Sequence, residues 1–213
     1  MSFNKLLQFF SVHKPSRTGF YDWYFSKRSK FCKTHDLLNG GENGEVPRIL
    51  HYPGSKWSLA DWIIEHMPEH TTYLEPYFGS GAVFFNKESS ALETINDLDG
   101  DVVNLFKVIR DHPEDLANKV RWTPYSREEY YNSYNVEGEG DKLERARMFL
   151  VRCWMARGGK TSDRTGWKHN IDVSKPPNNR MPDEWSKVPD RILTVTDRLK
   201  RVQNRTTASS AID

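Results

Sequence analysis

The stretch HYPGSKWSLADWIIEHMPEHTTYLEPYFGSGAVFF, residues 51–85, sets the architecture of this chain. From Ser58 onward, Leu59, Trp62, Ile63 and Met67 recur at helical spacing until Pro68 stops the pattern. Residues 72–75 read as a short buried strand. Gly79-Ser80-Gly81 turns that strand into a helix carrying Val83, Phe84 and Phe85. Further on, residues 92–95 predict a second strand with Asn96-Asp97 at its end. Residues 101–110 predict a helix with Val102, Leu105, Phe106 and Ile109 on one face. Strand, glycine turn, helix, strand, acid and helix in that order open a doubly wound α/β sheet.

The chemistry follows from where the glycines and carboxylates fall. A Gly-x-Gly alone is common, but here it leaves a strand and starts a helix. Gly79 and Gly81 permit a tight turn and close backbone approach to a ligand. Asp97 closes the next strand, where ribose hydroxyls lie in nucleotide-binding sheets of this kind. That spacing suits any adenosine cofactor. Phe84 stands where a dinucleotide site has its third glycine, which disfavours a nicotinamide cofactor. Glu75-Pro76 just before the turn makes the pocket anionic, a better match for a sulfonium cation than for a diphosphate. The candidate cofactor is therefore S-adenosylmethionine. Asp97-Leu98-Asp99-Gly100-Asp101 superficially matches a calcium loop, but the glycine falls too early and Val108 occupies the place of the bidentate acid. His66 and His70 have Pro68 between them and no third ligand, so no metal is expected.

Composition bounds the rest. The chain has 213 residues, 37% hydrophobic and 28% charged, enough for one domain and a subdomain. No run approaches the roughly 18 apolar residues of a membrane span. Cys32 and Cys153 lack zinc or redox spacing, and a reducing cytoplasmic setting is expected. The net charge of +2 hides a division: residues 47–140 carry 8 Lys/Arg against 16 Asp/Glu, and residues 141–205 carry 16 against 8. A basic half beside an acidic one points to a polyanionic partner.

Residues 1–46 end in Asn39-Gly40-Gly41-Glu42-Asn43-Gly44, a turn-rich seam, and are expected to be an N-terminal extension preceding the domain. Residues 47–121 form the cofactor-binding α/β part. Residues 122–203 form a basic, mainly helical region. In it Ser126 and Glu129 fit a capping box, 141–157 is an amphipathic helix, 158–180 is loop, and 181–202 is mostly helix. Residues 204–213 are small and polar and are expected to be a disordered tail.

Tyr52-Pro53-Gly54-Ser55-Lys56, Leu74-Glu75-Pro76-Tyr77-Phe78-Gly79-Ser80-Gly81 and Ile95-Asn96-Asp97 together resemble the Dam-type adenine-specific DNA methyltransferases. Residues 145–154 resemble the same family, and 160–167 its phage and Gram-positive branch. The similarity runs from about Pro47 to Gln203. It implies a partial Rossmann-like methyltransferase fold with a helical DNA-recognition insertion, and double-stranded DNA as partner. It also implies that Tyr52, Lys56, Glu75, Pro76, Phe78, Gly79, Ser80, Gly81 and Asp97 hold S-adenosylmethionine. Ser55 stands where many members have glycine. Arg152, Arg157, Lys160, Arg164 and Lys168 are expected to neutralise phosphates, with Trp167 stacking or wedging. Trp154 is expected in the helix core.

In that family the catalytic Asp-Pro-Pro-Tyr follows the recognition region. The 213 residues contain no such sequence; Pro176-Pro177 and Thr123-Pro124-Tyr125 both lack the acid. No catalytic residue is therefore assigned. The resemblance implies a chain ending before its catalytic motif, inactive alone, with only about two strands of its sheet and marginal stability. A separately encoded C-terminal fragment is a candidate partner. The alternative is a non-catalytic DNA-binding remnant.

Overall fold

A computed structural model describes residues 46–135, 141–159, 161, 164–169 and 180–205. The chain divides between Glu45 and Val46. The helix of the opening stretch, α1, is Ala60–Glu65. Strand β1 (Thr72–Glu75) leads through the glycine turn into α2 (Ala82–Asn86), and β2 (Leu92–Asn96) into α3 (Gly100–Asp111). Strands β1 and β2 pair in parallel, Thr72 opposite Leu92 and Glu75 opposite Ile95. Both strands therefore end on the same edge, and their carboxyl ends present Glu75 and Asp97 together.

Helix α4 (Pro113–Arg121) was not anticipated from the sequence. Pro113 starts it where no N–H is required, Glu114 and Asp115 occupy its first turn, and Lys119 and Arg121 its last. Helix α5 is Arg127–Asn132, and the Ser126 hydroxyl accepts from the Glu129 amide at 3.1 Å, one half of the expected capping box, while the Glu129 carboxylate binds Arg147 at 2.7 Å. Helix α6 is Lys142–Met155, capped by Asp141. The expected helix over 181–202 is two: α7 (Met181–Ser186) and α8 (Val188–Leu199). Pro189 forces the break, because its ring clashes with the carbonyl four residues back and it donates no hydrogen bond.

The largest departure lies at the end of α8. Gln203–Arg205 form a strand, β3, parallel to β2, with Ile95 opposite Asn204. The sheet has the order β1-β2-β3. The strand count of two and the disordered tail beginning at 204 are both corrected: β2's outer edge offers unpaired backbone groups, and Gln203 to Arg205 satisfy them.

One continuous core joins both halves. Phe78 meets Phe84, Phe85 and Phe106 edge to face, with Phe78 and Phe106 centroids 4.7 Å apart. Helix α8 packs on α4 and α3, and α3 on α6. Trp154 is buried as expected, its indole N–H donating to the Ile49 carbonyl at 2.9 Å. A buried ion cluster fastens α8 to the sheet. Glu93 on β2 accepts from Lys87 at 2.8 Å and binds Arg198 at 2.6 Å, and the Arg198 guanidinium also covers the Phe84 ring.

Candidate functional site

The glycine turn is built as its residues demand. Gly79 and Gly81 have φ of 51° and 66°, in the left-handed region. A Cβ on Gly81 would lie 2.5 Å from Phe78 and 2.6 Å from Phe85, and one on Gly79 3.2 Å from the Tyr52 ring. Close packing therefore excludes a side chain at Gly81 and crowds one at Gly79, in addition to the backbone conformation. Ser80 is buried, and its hydroxyl meets that of Ser55 at 2.8 Å. The serine that replaces a common glycine thus ties the Tyr52–Lys56 motif to the turn.

Beyond β2, three carboxylates form a chain of hydrogen bonds. Asp97 accepts from the Gly79 amide at 2.7 Å and from the Asp99 amide at 2.9 Å. Asp99 caps α3 by accepting from the Asp101 amide at 2.9 Å, and it also accepts from the Tyr52 hydroxyl at 3.0 Å. Burial, reinforced by the Asp99 charge, pushes the Tyr52 phenol well above its usual range, so Tyr52 remains a donor. Each Asp97 oxygen keeps a second lone pair for a ligand hydroxyl.

Glu75 faces inward. Its Oε2 accepts from the Tyr73 hydroxyl at 3.0 Å and from the Phe84 amide at 3.1 Å, bracing the turn against β1. Burial pushes its pKa up to about 7 against the pull of those two hydrogen bonds, with Asp97 adding a further push. The Pro76 carbonyl accepts from the Asn96 amide group at 3.0 Å. Lys56 is exposed and donates to the Gly54 carbonyl at 2.5 Å. Tyr52, Gly79, Ser80, Gly81 and Asp97 are thus brought together, Glu75, Pro76 and Phe78 support them, and Lys56 stands at the margin.

Asn204 is the residue that sequence reasoning missed. It sits on β3 in a cleft with Phe78, Ile95, Asp97 and Val102, and both polar atoms of its amide are buried without a hydrogen-bond partner among the described residues. A polar residue following the heptad-spaced face of α8 was the only signal, and a weak one.

The basic region divides. Arg152 is not a phosphate contact. Its side chain is only 8% exposed and is spent on Asp101 at 2.7 Å and on the Ser133 carbonyl at 2.8 Å. The reason is the acid on α3, 51 residues away in sequence. Arg145 also binds Asp101, Arg147 binds Glu129 and Glu144, and Arg198 binds Glu93. Much of the charge division between the halves therefore stitches them together internally. Arg157 and Arg164 are exposed and Lys168 is half-buried. They lie on a segment that folds back on α6, with Ala156 bridged to Trp167 and the Lys168 amide donating to Met155 at 2.7 Å. Arg164 covers the Tyr131 and Tyr134 rings at 5.4 and 5.7 Å. Trp167 is half-buried, stacked on His169 at 5.5 Å and beside Tyr125, and its indole N–H has no partner among the described residues. Lys160 lies outside the described residues. No described helix is long and apolar enough to cross a membrane.

Similarity to known proteins bears on this arrangement directly. The chain is 31% identical over 73 residues to a DNA adenine methylase of Serratia marcescens, covering 34% of this chain and 27% of that protein. It is 29% identical over 133 residues to the DNA N-6-adenine-methyltransferase of Escherichia phage P1, covering 60% of this chain and 17% of that one. A DNA adenine methylase of Vibrio cholerae is 29% identical over 75 residues, 35% of this chain and 27% of that protein. The aligned stretches thus span between a sixth and little more than a quarter of these relatives. A family profile matches residues 52–207, from the Tyr52 that anchors Asp99 through the whole of β3. With its glycine turn, acid-tipped second strand and basic insertion, the chain belongs to the D12 class N6 adenine-specific DNA methyltransferase family.

Proposed function

We propose that residues 46–205 form the S-adenosylmethionine-binding and duplex-contacting portion of a DNA adenine-N6 methyltransferase, acting on DNA in the cytoplasm. The observation that carries this reading is the Asp97 carboxylate. It stands at the carboxyl end of a parallel strand, bonded to Gly79 at 2.7 Å across 18 residues of sequence. Ligands of open α/β sheets bind at such strand ends. The fit to the methyl donor rests on the donor set: Asp97 for the ribose hydroxyls, and a local excess of carboxylates for a sulfonium. The Asn204 amide in the same cleft, without a partner among the described residues, has N–H donors and a carbonyl acceptor to offer an adenine edge. The bound sulfonium supplies an electrophilic methyl group. Asp97 would hold that group, with Tyr52 and Asp99 locked to the same loop, and Arg157, Arg164 and Lys168 would contact duplex DNA.

The exocyclic amine of a flipped adenine must be oriented by an acid and stacked by an aromatic ring. Asp-Pro-Pro-Tyr is not among the 213 residues. We assign that role to sequence outside them, in a longer form of the chain or in a separately encoded fragment. Calorimetric titration of the full chain with S-adenosylmethionine tests the pocket. Asp97→Ala and Asn204→Leu should each weaken binding by about tenfold or more, the scale of one hydrogen bond to a charged or fully desolvated group. Unchanged affinity in both variants refutes the assignment. Transfer of labelled methyl to duplex adenine by the chain alone would show that its catalytic residues lie within it.

A further inference from the structure

Arg152 is an expensive residue where it lies. A buried guanidinium loses its hydration, and an apolar side chain of similar volume in its place is often neutral or stabilising. Its Nε, moreover, has no partner among the described residues. Stability alone gives no reason for an arginine in the middle of α6. Its partners suggest one. On one side its Nη2 binds Asp101, whose amide is held by Asp99, itself bound to Tyr52, one step from Asp97. On the other side its Nη1 binds the Ser133 carbonyl at the end of α5, and its guanidinium lies 5.7 Å from the Tyr134 ring. Tyr134 in turn seats Arg164, and its hydroxyl meets that of Tyr130, which accepts from the Gly166 amide at 3.2 Å. The acid loop and the exposed Arg164 segment are thus joined through one buried guanidinium.

We propose that Arg152 is a positioning residue that couples the methyl-donor loop to the DNA-contacting segment, so that each ligand tightens the other. The inference rests on the functional reading above, and its own content is the coupling. Ordering the Asp97–Asp99–Asp101 loop around a ligand fixes the Asp101 carboxylate. That fixes Arg152 and the tyrosine seat of Arg164. By linkage, DNA held on Arg164 returns the same factor to the donor.

The test uses the full chain, S-adenosylmethionine by calorimetry and a fluorescent duplex by anisotropy, each with and without the other. Wild type should show mutual tightening of about five-fold or more, the lower end of ordinary coupling between sites. Arg152→Met should reduce that factor to about one, while each ligand alone binds within about twofold of wild type. Asp101 keeps Arg145 at 2.6 Å, so the substitution leaves no carboxylate unpaired. The salt dependence of duplex binding should not change. A phosphate contact would instead lower that slope by about one unit and weaken binding without the donor, and that result overturns the proposal. Full coupling in Arg152→Met, or no coupling in wild type although both ligands bind, overturns it as well. Should Arg152→Met unfold, Arg152→Gln takes its place, with the same criterion. Failure of wild type to bind the donor at all removes the functional reading itself, and this inference with it.

Discussion

Replacing glycines by alanine at three left-handed positions separates backbone strain from packing. Gly158, Gly79 and Gly81 have φ of 73°, 51° and 66°. Among the described residues, a Cβ on Gly158 meets nothing within 4 Å, so Gly158→Ala reports mainly strain. That strain is about 1–2 kcal/mol, offset by up to about 1 kcal/mol because alanine restricts the unfolded chain. Gly79→Ala adds a 3.2 Å approach to Tyr52, which a slight ring shift relieves. Gly81→Ala sets its Cβ 2.5 Å from Phe78 and 2.6 Å from Phe85, both buried and locked by Phe84 and Phe106. Those rings must move by about an ångström, an overpacking cost of about 1–3 kcal/mol on top of the strain. Gly81→Ala should therefore lose about 1–5 kcal/mol and Gly158→Ala about 0–2, the two differing by the packing cost of about 1–3. Urea unfolding followed by tryptophan fluorescence, fitted with a shared m-value, measures the difference. If Gly81→Ala unfolds within about 0.5 kcal/mol of Gly158→Ala, the packing account of the turn is wrong. Gly79→Ala has a different signature. It should stay folded but bind the donor more weakly, because a displaced Tyr52 loosens Asp99.

Glu75 gives a pH dependence of defined sign. Its folded pKa, about 7, lies above its ordinary 4.5, so the native state holds the proton longer than the unfolded chain. Stability should be full below about pH 4.5, fall as pH rises toward 7 and level off above, by at most about 3 kcal/mol. Glu75→Gln, which still accepts from Tyr73 or Phe84, should remove that slope in urea titrations from pH 5 to 8; an unchanged slope assigns it to another group. Glu93→Gln strands Lys87 and Arg198 and should cost about 3–5 kcal/mol, whereas Lys87→Met leaves Glu93 paired with Arg198 and should cost less. Equal thermal shifts for the two variants would contradict the ion cluster as described. Removing Arg157 or Arg164 should each lower the salt slope of duplex binding by about one unit, across unrelated sequences. Sequence-dependent loss at Arg164 would instead mark a base contact.

The local half of this fold was legible because its signals are local. The helical spacing from Leu59, the strand before Gly79 and the acid after β2 each sit within a few residues of what they specify. The Pro113 start of α4 and the Pro189 break are equally local, since a proline occupies a helix's first turn and ends the one before it. β3 was not readable. Gln203, Asn204 and Arg205 show no alternation and little strand preference, and they are extended because β2 offers them an edge. Arg152 failed for a related reason. A basic residue in a basic region reads as a surface charge until Asp101 arrives from 51 positions away. For the same reason the charge division overstated the polyanion footprint, since Arg145, Arg147 and Arg198 answer acids within the chain.

The clamp of Arg198 on Glu93 closes a loop of 105 residues, and Asn204 reaches the Asp97 cleft only behind it. During synthesis, the glycine turn and its acid therefore leave the ribosome long before the wall that completes their cleft. Until α8 docks, β2 keeps an open edge, a liability for pairing with other chains. Closing so distant a contact is slow relative to local helix formation. Docking of the basic helical region is thus required to complete the Asp97 cleft, and a lesion in α6 or α8 should alter that cleft even where no residue lining it has changed.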